Sequence, residues 1–142
     1  MAAGNIVFLV GSDELLTNNR QLVPDVPEEA PKIYRALHQA IQNGLVKSCH
    51  DLSEGGLAVT AAEMCIGGRL GLEVSMNSNL FDEVNGCLLV EISPTDISSF
   101  NGYFAGLPFT KIGTVTADPT LKFGGEEISV EELVHAFNIY NL

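Results

Sequence analysis

The first apolar run, Ile6-Val7-Phe8-Leu9-Val10, is continuous, and Gly11 ends it. Such a run suits a strand buried on both faces, because successive side chains point to opposite sides. Residues 12–26 are polar and contain prolines, which reads as a loop. Asp25 and Glu28 stand at capping-box spacing, with Pro27 at the first helical position. Ile33, Leu37, Ala40 and Ile41 follow at helical spacing, and Gly44 suits the C-terminal cap.

Residues 45–49 predict a short strand, followed by a polar turn from His50 to Gly56. Leu57, Ala61 and Met64 mark a second helix that Gly67-Gly68 stops. Strands are expected over residues 72–76, 87–92 and 111–116, with a helix around 96–105. Leu121-Lys122-Phe123 and Glu127-Ile128 flank Gly124-Gly125 and predict a hairpin. Ser129 and Glu132 form a second capping box, for a last helix through Phe137. Strands interleaved with helices imply an α+β fold, a mixed sheet with helices packed on it. No repeat, low-complexity segment or linker divides the chain, so residues 1–142 read as a single domain.

Composition narrows the function classes. The 142 residues suffice for a core without staples, and 46% hydrophobic with 18% charged content is globular. Seven basic against 18 acidic residues give a net charge of −11. Such a chain repels nucleic acid and anionic membranes, so neither is expected as a partner. No apolar run approaches a membrane span, and residues 1–10 lack the basic start of a signal peptide. Cys49, Cys65 and Cys87 are an odd number without metal-type spacing, which predicts reduced, buried thiols and a cytoplasmic location.

One stretch carries candidate chemistry: Cys49-His50-Asp51-Leu52-Ser53-Glu54-Gly55-Gly56-Leu57. A strand ends, a glycine-rich turn follows, and a helix begins. The first N–H groups of a helix lack internal partners, and its dipole adds positive potential. Gly55 and Gly56 would let a ligand approach the backbone, and Ser53 can donate to a phosphate oxygen. Asp51 is a hard oxygen ligand suited to magnesium shared with phosphates. His50 can orient Asp51 or donate to a phosphate. A plainer reading fits the same residues, and caps and tight turns are commoner than anion sites: Asp51 or Ser53 caps the helix, the glycines make the turn, and His50 is a satisfied buried histidine. His38 and His135 read as structural and as surface or capping residues.

The run His50-Asp51-Leu52-Ser53-Glu54-Gly55-Gly56-Leu57, followed by Ala61-Ala62-Glu63-Met64, resembles the signature of the C-terminal AIR-synthase-type domain of the phosphoribosylformylglycinamidine synthase family. The resemblance extends over nearly the whole chain. It takes in Gly68-Arg69-Leu70-Gly71-Leu72-Glu73-Val74, Leu80-Phe81-Asp82-Glu83 with the strand after it, and Ile112-Gly113-Thr114-Val115. It closes on Ile128-Ser129-Val130-Glu131-Glu132-Leu133. The wider superfamily includes aminoimidazole ribonucleotide synthase, selenophosphate synthetase, a hydrogenase-maturation dehydratase and thiamine-phosphate kinase.

The resemblance implies an ATP-dependent ligase of purine biosynthesis. Such an enzyme turns formylglycinamide ribonucleotide, glutamine-derived ammonia and ATP into the amidine, ADP and phosphate. It is built of two pseudo-symmetric halves, and this chain is similar to the last of their four subdomains. The implied partners are the remaining domains of the synthase and its glutaminase subunit. The implied cofactors are Mg2+ and ATP or ADP at an auxiliary site, with Asp51 toward the metal and His50, Ser53, Gly55 and Gly56 toward the nucleotide. The first half of such enzymes carries a Glu-Ser-Gln-type substrate contact where this chain has Phe81-Asp82-Glu83-Val84. That departure favours the second half and predicts no catalytic residue here. The isolated domain is expected to be inactive and to self-associate through surface its partners would cover. A packing domain without a ligand, or the C-terminal domain of another ATP-using superfamily member, are the alternatives.

Overall fold

The computed structural model describes residues 1–11, 28–76 and 80–140. The strands are β1 (Ile6–Val10), β2 (Val46–Asp51), β3 (Gly71–Val74), β4 (Leu88–Ile92), β5 (Phe109–Thr116), β6 (Thr120–Phe123) and β7 (Glu126–Ser129). The helices are α1 (Ala30–Gln42), α2 (Gly56–Gly68), α3 (Ile97–Tyr103) and α4 (Val130–Tyr140). The strands form one sheet in the order β2-β4-β1-β5-β3-β6-β7. Its pairings are antiparallel except the parallel one between β3 and β6, so the fold is mixed, as the interleaving implies.

The continuous apolar run of β1 has its reason in this order. Val7 and Leu9 point into a core roofed by Leu57, Ala61, Met64 and Cys65 of α2 and Val130 of α4. Phe8 and Val10 point into a second core formed with Ile33, Ala36, Leu37 and Ala40 of α1 and Phe100 and Phe104. Four phenylalanines stack in that second core, Phe100 and Phe104 at 4.5 Å between ring centroids and Phe8 and Phe109 beside them. The sheet is therefore covered on both faces at β1, and this inner strand needs apolar side chains at every position.

A charged side chain interrupts that apolar pattern. Glu91 of β4 is fully buried. Its carboxylate accepts hydrogen bonds from Ala2 N at 2.8 Å, Asn5 Nδ2 at 2.8 Å and Ser48 Oγ at 2.5 Å. A buried carboxylate is tolerable only with such donors, and here they tie the segment before β1 to β2 across β4.

Several boundaries differ from the sequence reading. Helix α1 begins at Ala30 behind Glu29, which makes no side-chain cap, and Pro31 occupies its first turn. Asp25 and Pro27 lie outside the described residues. Ile41 is 48% exposed, because it falls about 80° from the centre of the buried stripe at 3.6 residues per turn. Gly44 does end the helix, at φ +72° with its N–H on Ile41 O. Strand β2 continues through His50 and Asp51, which pair with Leu89 and Leu88. Helix α2 runs on through Gly67-Gly68 and stops at Arg69, a left-handed residue at φ 53°. The hairpin forms as read, and the Ser129–Glu132 box is reciprocal, with Glu132 N donating to Ser129 Oγ and Ser129 N to Glu132 Oε2. The Ser129 hydroxyl, which donates to Glu132 Oε2, and after it the Ser129 N–H hold the Glu132 carboxyl below its ordinary range. Among the described residues no helix is long and apolar enough to cross a membrane.

Cys65 and Cys87 are buried as expected, whereas Cys49 is exposed, because it faces outward from edge strand β2. The sulfur is still partly desolvated by its neighbours. That effect, followed by the Asp51 carboxylate, pushes its thiol up to about 11. Burial pushes Cys65 up to about 12. The thiolate is the reactive form, so alkylation of the folded chain should modify Cys49 alone. Its rate should be slow at pH 8 and rise roughly tenfold per pH unit until the thiol's pKa is reached. Mass spectrometry of the alkylated chain checks this: Cys65 and Cys87 should label only after unfolding.

Candidate functional site

The stretch singled out in the sequence lies where β2 ends and α2 begins. The turn between them is fastened on both sides to residues 80–87. Leu52 N donates to Cys87 O at 3.0 Å, and Ala58 N donates to Leu80 O at 2.8 Å. The first turn of α2 is thus largely satisfied within the protein. Gly56 N donates to Ser53 O at 2.9 Å and Val59 N to Gly55 O at 3.4 Å.

Gly56 owes its place to this fastening, and Gly55 to its left-handed backbone and the Val59 side chain beside it. Gly55 is the N-cap at φ +86°, and Gly56 follows at φ +60°. A Cβ on Gly56 would meet Asp82 O at 2.6 Å and Phe81 C at 2.8 Å. The close approach that Gly56 permits is made by the backbone of Phe81-Asp82. No side chain among the described residues caps α2, so Asp51 and Ser53 are not helix caps.

Asp51 and Ser53 instead face an open cleft of about 230 Å³, lined also by Tyr34 of α1 and by Glu83, Asn85 and Gly86. Asp51 is 69% exposed. Ser53 is exposed, and its hydroxyl has no partner among the described residues. Among those residues no lysine or arginine lines the cleft, so two carboxylates set its potential.

His50 is neither buried nor free. Its Nε2 lies 2.8 Å from Glu63 Oε2 of α2, and its Nδ1 lies 3.3 Å from Asp51 Oδ1 and 3.1 Å from Asp51 O. The buried Thr60 hydroxyl lies 3.0 Å from Asp51 O and 2.9 Å from Gly56 O, pinning the strand end to the helix. Sequence reasoning passed over Thr60 and took Glu63 only as part of the family signature. They stand one and two helical turns beyond Gly56, a spacing that points them back along α2 toward β2.

Among the described residues no group of three His, Cys, Asp or Glu side chains converges as a metal site. Asp51 and Glu83 in one cleft fit a magnesium ion only if phosphate and water supply its other oxygens, which is the usual way magnesium is held. A larger recess, about 560 Å³, lies on α4 among Glu131, Glu132, His135, Ala136 and Ile139, away from the motif. Both His135 and His38 are exposed.

Comparison with known proteins gives a family match over residues 2–126, to the C-terminal domain of AIR synthase related proteins. The chain is 33% identical to the phosphoribosylformylglycinamidine synthase subunit PurL of Lactobacillus helveticus over 91% of its length. It is 36% identical to that of Allorhizobium ampelinum over 92%. In each case it spans only 20% of the relative. The fold matches Thermotoga maritima PurL complexed with ADP, with a TM-score of 0.77 at 20% identity, covering 94% of this chain and 26% of that one. It also matches E. coli HypE, a hydrogenase maturation protein, with a TM-score of 0.64 at 18% identity over 91% of this chain and 49% of that one.

Gly56→Ala should destabilise the chain by about 2 kcal/mol or more, from strain at positive φ and collision with residues 81–82. Gly67→Ala, in open helix, should stabilise by about 0.5–1 kcal/mol. Urea denaturation of both variants checks the opposite signs.

Proposed function

The chain belongs to the family of AIR synthase related C-terminal domains, and from that premise we propose that it is the C-terminal domain of a phosphoribosylformylglycinamidine synthase. The observation that carries this reading is identity above 30% along nearly the whole chain to synthase subunits of which it makes a fifth. The activity is then that of the complete enzyme: ATP-dependent replacement of the amide oxygen of formylglycinamide ribonucleotide by glutamine-derived ammonia, in the cytoplasm. A single domain lacking the other three subdomains and the glutaminase subunit does not perform it.

In this reading the cleft beside Asp51 and Ser53 is an auxiliary magnesium-nucleotide site. Thermotoga maritima PurL has been solved with ATP and with ADP, which supports a nucleotide. Asp51, with Glu83 nearby, would hold the cation, and Ser53 would donate its hydroxyl to a phosphate oxygen. Magnesium, when bound, offsets the phosphate charge that two carboxylates would otherwise repel. Gly56 acts by letting residues 81–82 seat the turn, and Gly55 by taking the left-handed backbone that opens α2. At about 230 Å³ the cleft is below the roughly 300 Å³ of pockets that enclose a drug-sized ligand. It accommodates the phosphate end, and the rest of the nucleotide lies against another domain. The exposed Tyr34, Phe81 and Ile139 fit contacts with such domains.

Calorimetric titration with magnesium-ADP tests the site. Asp51→Asn and Ser53→Ala should each weaken binding by about tenfold, the 1.4 kcal/mol scale of one charge-assisted contact. Unchanged affinity in both would leave a packing domain without a ligand as the better reading. Light scattering tests the exposed surface: the chain alone should self-associate at high concentration, and a strictly monomeric profile would count against missing neighbours.

A further inference from the structure

We propose that Asn85-Gly86 is a site of spontaneous deamidation at the wall of the cleft, singled out by the fold from the three Asn-Gly pairs in the chain. The product puts a third carboxylate on the cleft. The modification follows from the turn itself; its effect on a ligand rests on the nucleotide reading of the cleft.

An Asn-Gly pair can react within itself. The glycine nitrogen gives up its proton and attacks the asparagine Cγ. A new C–N bond forms, the carboxamide C–N bond breaks, and ammonia leaves. Water then opens the cyclic imide at either carbonyl, leaving aspartate or isoaspartate. Water is the one co-reactant. Glycine favours the reaction, because no side chain obstructs the approach and its backbone is the least restricted. Between pairs in one chain, the fold decides by holding or releasing the glycine nitrogen.

Two of the pairs are held. Asn43-Gly44 closes α1: Asn43 Nδ2 donates to Gln39 O at 2.8 Å, and Gly44 N donates to Ile41 O at 2.9 Å. The leaving amide and the attacking nitrogen are both engaged. Asn101-Gly102 lies inside α3, where closing the imide ring would break the helix. Asn85-Gly86 instead lies in a turn before β4, outside any helix or strand. Gly86 has φ +82°, and its N–H makes no hydrogen bond among the described residues. Both residues line the open cleft with Asp51 and Glu83, so water reaches them.

The position gives the reaction a consequence. Among the described residues the cleft holds two carboxylates and no lysine or arginine. A third carboxylate adds to the repulsion that a phosphate must overcome there. Isoaspartate also lengthens the main chain by one methylene, two residues before the Cys87 carbonyl that takes the Leu52 N–H. Charge and clamp are altered together.

The test ages the 142-residue chain in mildly alkaline buffer and maps its peptides by mass spectrometry. The Asn85 peptide should show the mass gain of an amide becoming an acid and separate into aspartate and isoaspartate forms. The Asn43 and Asn101 peptides should stay intact. In urea all three should convert, because no fold then holds the nitrogens. Conversion of Asn43 or Asn101 ahead of Asn85 in the folded chain would overturn the assignment, as would an Asn85 that reacts as slowly as the other two. Magnesium-ADP titration of the same samples reads the effect on the cleft. Aged chain and fresh Asn85→Asp should bind several-fold more weakly than fresh wild type. Asn85→Gln, whose longer side chain does not readily close the ring, should keep its own affinity through ageing. If aged and fresh wild type bind alike, the effect on the ligand is wrong. If fresh wild type does not bind, the nucleotide reading falls, and the peptide map still decides the modification.

Discussion

The geometry of the candidate site depends on one close approach, the backbone of Phe81-Asp82 against Gly56. A residue with a Cβ would not fit there, and φ at that position is positive. Because the approach is allowed, Leu80 O can take the Ala58 N–H and Cys87 O the Leu52 N–H. These two bonds clamp the turn between β2 and α2. The clamp leaves Asp51 and Ser53 facing the cleft, with Glu83 and Asn85 brought in from the clamping segment itself. Site and clamp are therefore one structure, joined at Gly56.

Around that clamp the core supplies rigidity. Strand β1 is buried on both sides, α2 and α4 cover one face of the sheet, and α1 and α3 belong to the core of the other. The buried Glu91, with donors from Ala2, Asn5 and Ser48, fastens the segment before β1 to edge strand β2. The strand that carries His50 and Asp51 is thereby held on its inner side by β4 and at its end by Thr60.

Much of this was legible in the sequence, because it follows from local patterns. The run at Ile6, the Gly124-Gly125 hairpin and the Ser129–Glu132 box each depend on a few adjacent residues, and each formed as read. The motif from His50 to Leu57 pointed to the family. What failed depended on contacts distant in sequence. Gly56 reads as room for a close approach, and the backbone of residues 81–82, far along the chain, makes that approach. Cys49 reads as buried until β2 proves to be an edge strand. Gly67-Gly68 reads as a helix stop, yet Gly68 stays helical where a side chain would collide with Met1. Glu63 was visible only as part of a family marker, since its partner His50 lies on another element.

The central claim is that the cleft beside Asp51 and Ser53 takes the phosphates of a nucleotide with their cation. Anomalous diffraction from crystals soaked with manganese and ADP addresses it most directly. One manganese peak is expected at coordinating distance from Asp51, with phosphate density reaching Ser53 Oγ. A manganese-nucleotide complex bound elsewhere, or a cleft holding only water at saturating ligand, would contradict it.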